Sequence, residues 1–105
     1  MITYNVGKEG SVILMFKLIY MKADYEPWWQ FDGWQDHIVS TDLFDSEEAL
    51  EKALENKLKL FREKFPNEKT KGHQYYAFWS DEESEYCDAC DEDIQIYHGI
   101  IIERE

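Results

Sequence analysis

The sequence predicts an α+β domain, β-β-α-β-β, in which one amphipathic helix packs on a mostly antiparallel sheet. Three observations predict it. Short runs alternate apolar and polar residues, as strands do. One stretch repeats apolar residues every three or four positions, as helices do. The 105 residues suffice for one domain. We interpret residues 15–105 as that domain and residues 1–14 as a leader that is disordered or precedes a true start at Met15.

The first half of the chain begins with a strand. Residues 16–22 are rich in strand-forming side chains, and Phe16, Leu18 and Tyr20 share one face. Residues 24–36 contain Pro and Gly and are predicted to form a loop. A short second strand is expected over residues 37–41.

The helix follows the second strand. Asp45 is predicted to cap it, with Glu48 completing a capping box. Pro66 ends it, because a residue before proline leaves helical dihedral angles. Leu60 lies off the apolar stripe and is expected to be exposed. The stripe consists of Leu50, Leu54, Leu58, Phe61 and Phe65.

Two further strands are predicted after the helix. Residues 66–72 are polar and are interpreted as a loop, and residues 73–79 as the third strand. A turn over residues 81–84 precedes a short extended stretch. The fourth strand is predicted over residues 94–102, where isoleucines alternate. A helical spacing also fits that segment, but its five isoleucines favour a strand.

Composition excludes several classes of function. The formal net charge is −12, which argues against direct binding to nucleic acid or to an anionic membrane surface. The longest apolar run, residues 12–21, is shorter than the ~20 residues of a membrane-spanning helix and lacks the flanks of a signal peptide. We therefore expect a cytoplasmic protein.

An aromatic segment carries a family resemblance. The chain contains Ala-Asp-Tyr-Glu-Pro-Trp-Trp at 23–29 and Phe-Asp-Gly-Trp at 31–34. Phe78-Trp79, the cysteine pair and Tyr-His-Gly at 97–99 complete the pattern. It resembles a small bacterial family catalogued as domain of unknown function 1033, over Met15 to the C-terminus. The resemblance implies a single-domain cytoplasmic protein and supplies no catalytic residue.

The same segment is the candidate binding site. Aromatic side chains are enriched at interaction hot spots, and rings among carboxylates suit a cationic guest. Trp28 and Trp29 are adjacent, so in an extended segment at least one is expected to be exposed, whereas Trp28 and Trp34 also fit a core role. The candidate residues are Asp24, Tyr25, Glu26, Trp28, Trp29, Phe31, Asp32 and Trp34.

The cysteine pair supplies an alternative. Cys87 and Cys90 are spaced as in metal or redox sites, and His98 is a third candidate zinc ligand. A single pair is weak evidence, because structural zinc sites usually show two. Carboxylates without Lys or Arg surround the thiols over residues 81–93, which disfavours the thiolate and hence redox chemistry. Two ordinary cysteines at a strand end are the remaining interpretation.

The sequence as a whole favours a non-enzymatic interaction or regulatory module. No glycine-rich phosphate loop or nucleophile motif is present. The predicted partner is a basic or cationic protein, guided by the acidic segment 81–93. A homodimer is an alternative, with the basic residues 57–71 of one copy facing that acidic segment of another. No cofactor is predicted apart from zinc in the alternative interpretation.

Overall fold

A five-stranded antiparallel sheet carries one helix on one face. The computed structural model describes residues 15–87 and 92–104. Within these ranges the elements are β1 (Phe16–Ala23), a 3-10 helix (Trp34–His37), β2 (Ile38–Phe44), α1 (Glu47–Lys64), β3 (Asn67–Lys71), β4 (Tyr75–Trp79), β5 (Ser84–Cys87), β6 (Glu92–Gln95) and β7 (Tyr97–Arg104). The strand order in the large sheet is β2-β1-β7-β4-β3. The predicted α+β class is confirmed. The leader assigned to residues 1–14 lies outside the described ranges.

Alternating side chains divide the core into two clusters, one on each face of the sheet. Phe16, Leu18, Ile100 and Ile102 face the helix, where Leu50, Leu58, Phe65 and Phe78 complete the buried cluster. Ile19, Met21, Ala23 and Ile101 form the buried cluster on the opposite face, which we call the open face because α1 does not cover it. The facing predicted for β1 follows this division.

The N-cap of α1 lies one residue later than predicted. Ser46, not Asp45, is the N-cap, and its Oγ accepts a hydrogen bond of 3.1 Å from the amide of Ala49. The capping box built on Asp45 was therefore wrong. Phe65 leaves helical geometry before Pro66, as predicted (φ −117°, ψ 131°). Leu60 is 63% exposed, as its position off the stripe indicates.

Two strand predictions were wrong. The segment 66–72, interpreted as a loop, contains β3, because its backbone pairs with β4 from Asn67↔Trp79 to Lys71↔Tyr75. The predicted strand 94–102 is two strands. Its first part, β6, pairs with β5 in a separate hairpin, and β7 then joins the large sheet. The amide of Ile96, between β6 and β7, donates to the Glu83 carbonyl at 3.3 Å instead of to either ladder.

In the part of the chain that the structure describes, no helix combines the length and apolar character needed to cross a membrane.

Candidate functional site

The aromatic segment is shaped by two tight turns. In the first, the amide of Trp29 donates to the Glu26 carbonyl at 3.1 Å, with Pro27 in the position that proline favours. In the second, the amide of Trp34 donates to the Phe31 carbonyl at 2.9 Å. Gly33 occupies the third position of that turn with φ 83° and ψ 8°, values that suit a type II turn. The turns keep residues 29–31 at the surface.

The segment is anchored to the open face through Pro27. This proline is fully buried against Gly99 in the middle of β7. A β-carbon at Gly99 would lie 2.7 Å from the proline β-carbon, so glycine is required for the close approach. Tyr25 and Trp34, both half-buried, pack against the open-face cluster. The loop therefore covers the sheet face that α1 leaves uncovered.

Four rings form a continuous chain across this loop, which we call the aromatic surface: Trp29, Phe31, Tyr25 and His37. Trp29 and Phe31 are 49% and 55% exposed. Their rings are stacked, 6.0 Å apart between centroids and 4° from parallel. Phe31 then meets the edge of Tyr25 at 5.0 Å, and Tyr25 meets His37 at 5.6 Å. Exposed rings in this arrangement form an apolar contact area.

Two lysines of β3 already contact the tryptophans. The Nζ atom of Lys69 lies 5.7 Å from the Trp28 ring centroid. Lys71 Nζ lies 5.8 Å from Trp28 and 5.8 Å from Trp29. These distances are within the range of cation–π attraction. Trp28 is half-buried, whereas its neighbour Trp29 is exposed although Lys71 contacts it as well.

Carboxylates surround the rings. Asp24 and Asp32 are exposed, and Glu26 is half-buried. Burial raises the pKa of Tyr25 above its ordinary value of 10.0, and the charge of Asp24 raises it further. Burial and then the charge of Glu26 raise the pKa of Tyr97 in the same way. The rings therefore lie among both these carboxylates and the ammonium groups of Lys69 and Lys71.

An open cleft of about 460 Å³ adjoins the aromatic surface. Asp24 and His37 line it on the loop side, and Glu85 and Ile94 line it on the β5–β6 hairpin. Lys22 adds an ammonium group to the lining.

A second polar cluster lies under the helix. His98 is 5% exposed and uses both ring nitrogens. Its Nε2 donates to the Glu83 carboxylate at 2.7 Å, so Nδ1 accepts from the Tyr20 hydroxyl, also at 2.7 Å. Phe65 stacks on the imidazole at 4.3 Å. Burial raises the pKa of Tyr20, and the charge of Glu83 raises it further. The cluster ties the β4–β5 connection to the main sheet.

The zinc hypothesis stays a prediction. Cys87 lies in β5, and Cys90 lies outside the described residues. His98 could become a zinc ligand only by giving up its hydrogen bond to Tyr20 or to Glu83. Residues 15–87 and 92–104 contain no group of three or more His, Cys, Asp or Glu arranged to hold a metal ion.

The sequence predicts the aromatic segment as a candidate site but does not predict the lysines and the histidine that contact it. Lys69 and Lys71 reach the tryptophans because β3 pairs with β4, which puts both lysines on the open face. The sequence signal for this placement is the alternation of Lys69 and Lys71 in a polar segment, since alternate residues of a strand share one face. His37 was read as the first residue of a strand, and it instead ends the 3-10 helix with its ring against Tyr25.

Comparison with known proteins gives one match. No curated protein and no solved structure matches the chain. A family model described as "Protein of unknown function (DUF1033)" matches residues 15–105. That match covers the whole described fold, including the two-turn loop and the aromatic surface. The chain therefore belongs to the DUF1033 family of proteins of unknown function.

Proposed function

We propose that this chain is a non-enzymatic binding module whose aromatic surface takes up a cationic segment of a partner protein. The observation that carries the proposal is the exposed, parallel stack of Trp29 and Phe31 at 6.0 Å. Exposed rings of this size are concentrated at binding hot spots. The fixed stack needs no ordering when a partner arrives, so little entropy is lost.

Charge selects the kind of partner. No Lys or Arg occurs between Lys22 and Lys52, and this stretch includes the whole aromatic surface. Ring faces attract ammonium and guanidinium groups, and the nearby carboxylates add to that attraction. The position of Lys71, with its Nζ 5.8 Å from the Trp29 ring centroid, supports this proposal. The net charge of −12 also speeds the encounter with a basic partner.

A lysine peptide is expected to bind the aromatic surface. The probe is acetyl-(Ala-Lys)₃-amide, with its norleucine counterpart as the uncharged control. We expect Trp29→Ala with Phe31→Ala to weaken lysine-peptide binding roughly fivefold, about 1 kcal/mol for exposed cation–π contacts. Heteronuclear NMR titration measures the affinity. The double variant keeps the net charge, so non-specific attraction is unchanged.

The matched control is Leu60→Ala, which removes another exposed apolar side chain from α1. It should bind the peptide like the unaltered chain. Equal affinity of the Trp29/Phe31 variant, or binding of norleucine as tight as that of lysine, would overturn the proposal. Binding should also weaken as salt is raised, because exposed charges are screened.

Lys71 provides a further test of the same site. In Lys71→Met the internal ammonium no longer competes for Trp29, so the lysine peptide should bind more tightly. Lys69→Met changes the net charge by the same amount. Lys69, however, contacts only Trp28 among the described tryptophans. An equal effect of the two variants would mean that net charge alone governs binding. A cytoplasmic location for this interaction stays a prediction from the sequence.

A further inference from the structure

The two edges of the large sheet differ in how they are protected. In the described ranges β2 and β3 each pair on one side only. On β3 the side chains of Lys69 and Lys71 are exposed, and lysines at a sheet edge hinder the addition of another strand. β2 contains no Lys or Arg and exposes Val39 and Leu43, at 57% and 53%. Among the described strands, the β3 edge therefore carries lysines, whereas the β2 edge carries a single charged residue, Asp42.

The β2 edge is regular over most of its length. β2 pairs with β1 in unbroken register from Phe16↔Phe44 to Tyr20↔Ser40. The only register shift lies between Tyr20 and Met21, which confines the irregularity to the start of β2 near Val39. Residues 40–44 therefore form a straight edge. Unpaired backbone groups on such an edge are a template for another strand.

Charge indicates the chemistry of the incoming strand. Asp42 lies within β2, and Asp36 and Asp45 lie just before and after it. All three side chains are exposed. A second copy of this chain would bring the same aspartates and another net charge of −12 to the edge. A lysine-bearing segment would instead find opposite charges, which favours a basic partner over self-pairing.

We infer that β2 accepts an extended, lysine-bearing segment of a partner protein as an added strand. The main-chain hydrogen bonds of the added strand supply affinity, and side chains at alternate positions supply specificity. Val39 and Leu43 offer apolar contacts to that strand. The inference stands independently of the aromatic surface, although His37 and Ile38 join the two, so that one partner segment can reach both.

Backbone methylation provides the test. The probe is acetyl-(Thr-Lys)₄-amide, with two isomers that each carry two N-methyl groups. Methyl groups on alternate residues block one edge of the peptide, whereas methyl groups on adjacent residues block both. We expect the first isomer to bind like the parent and the second at least tenfold more weakly, with new amide exchange protection over residues 40–44 in the parent complex. The isomers have the same charge and composition.

Substitutions in the protein complete the design. Val39→Lys with Leu43→Lys adds edge lysines and should abolish binding of the parent peptide. Leu60→Lys with Gln74→Lys adds the same charge at exposed positions away from β2 and should weaken it only modestly. Equal binding of the two methylated isomers would overturn the inference and leave charge attraction alone. Amide exchange protection of β3 in the peptide complex would also overturn it. So would a dimer, detected by sedimentation, in which a second copy of the chain occupies β2.

Discussion

Gly99→Ala is expected to lower the free energy of unfolding by about 2 kcal/mol, a typical cost of overpacking a buried site. The added β-carbon would lie 2.7 Å and 2.9 Å from the Cβ and Cγ atoms of Pro27, and 3.2 Å from Cγ of Met21. Real β-carbons do not approach other atoms so closely, so the loop must lift from the sheet. Urea unfolding measures the change, and the exposure of Trp34 reports the lifting.

A second substitution separates the collision from any other effect of alanine. Pro27→Gly removes both of the nearest proline atoms and costs some stability by itself, since a buried ring is lost. In that background Gly99→Ala should cost less than half of its value in the unaltered chain. The two residues then show a coupling energy, as contacting pairs do. Strictly additive losses would mean that the proline does not cause the strain.

His98→Ala is expected to cost about 3 kcal/mol, because it leaves a cavity and removes the hydrogen-bond partner of two groups. Tyr20 and Glu83 each lose a hydrogen bond of 2.7 Å to His98, and Phe65 loses the imidazole ring that stacks on it. The loss is expected in both thermal and urea unfolding. His73→Ala is the matched control, since His73 is exposed and should change stability by less than about 0.5 kcal/mol.

The hydroxyl of Tyr20 can be tested apart from the imidazole. Tyr20→Phe removes one hydrogen bond to His98 and should cost about 1 kcal/mol. In the His98→Ala background the same change should cost much less, because the bond is already gone. An undiminished cost in that background would show that the hydroxyl contributes through other contacts.

The helix and strands β1 and β4 were predictable because their signals are local. Alternation in β1 and β4, and the three-and-four spacing in α1, reflect burial of one face or stripe. β3 lacks that signal, since Asn67–Lys71 has no apolar residue. It forms a strand because β4 offers a ladder to pair with, and the bidentate contact between Arg62 and Glu68, at 2.9 Å for each bond, helps to hold it.

The site was predictable in its residues but not in its arrangement. The adjacency of Trp28 and Trp29 implied different environments, and they differ. Stacking of Trp29 on Phe31 depends on two turns whose geometry follows from Pro27 and Gly33 only once their positions in the turns are known. The contacts of Lys71 depend on a strand that was not predicted. His98 and Tyr20 are 78 residues apart in sequence, and no local pattern joins them.

The seating of Pro27 on Gly99 also bears on how the chain avoids misfolding. Strand β7 is buried on both faces, and its run Ile100-Ile101-Ile102 would satisfy either face equally well. A slip of one residue would therefore meet little resistance from hydrophobicity alone. It would, however, place His98 or Ile100 beneath the proline, where only a residue without a side chain fits. Gly99 thus fixes the register of β7, because the aromatic loop cannot pack on a sheet in which that strand is shifted by one residue.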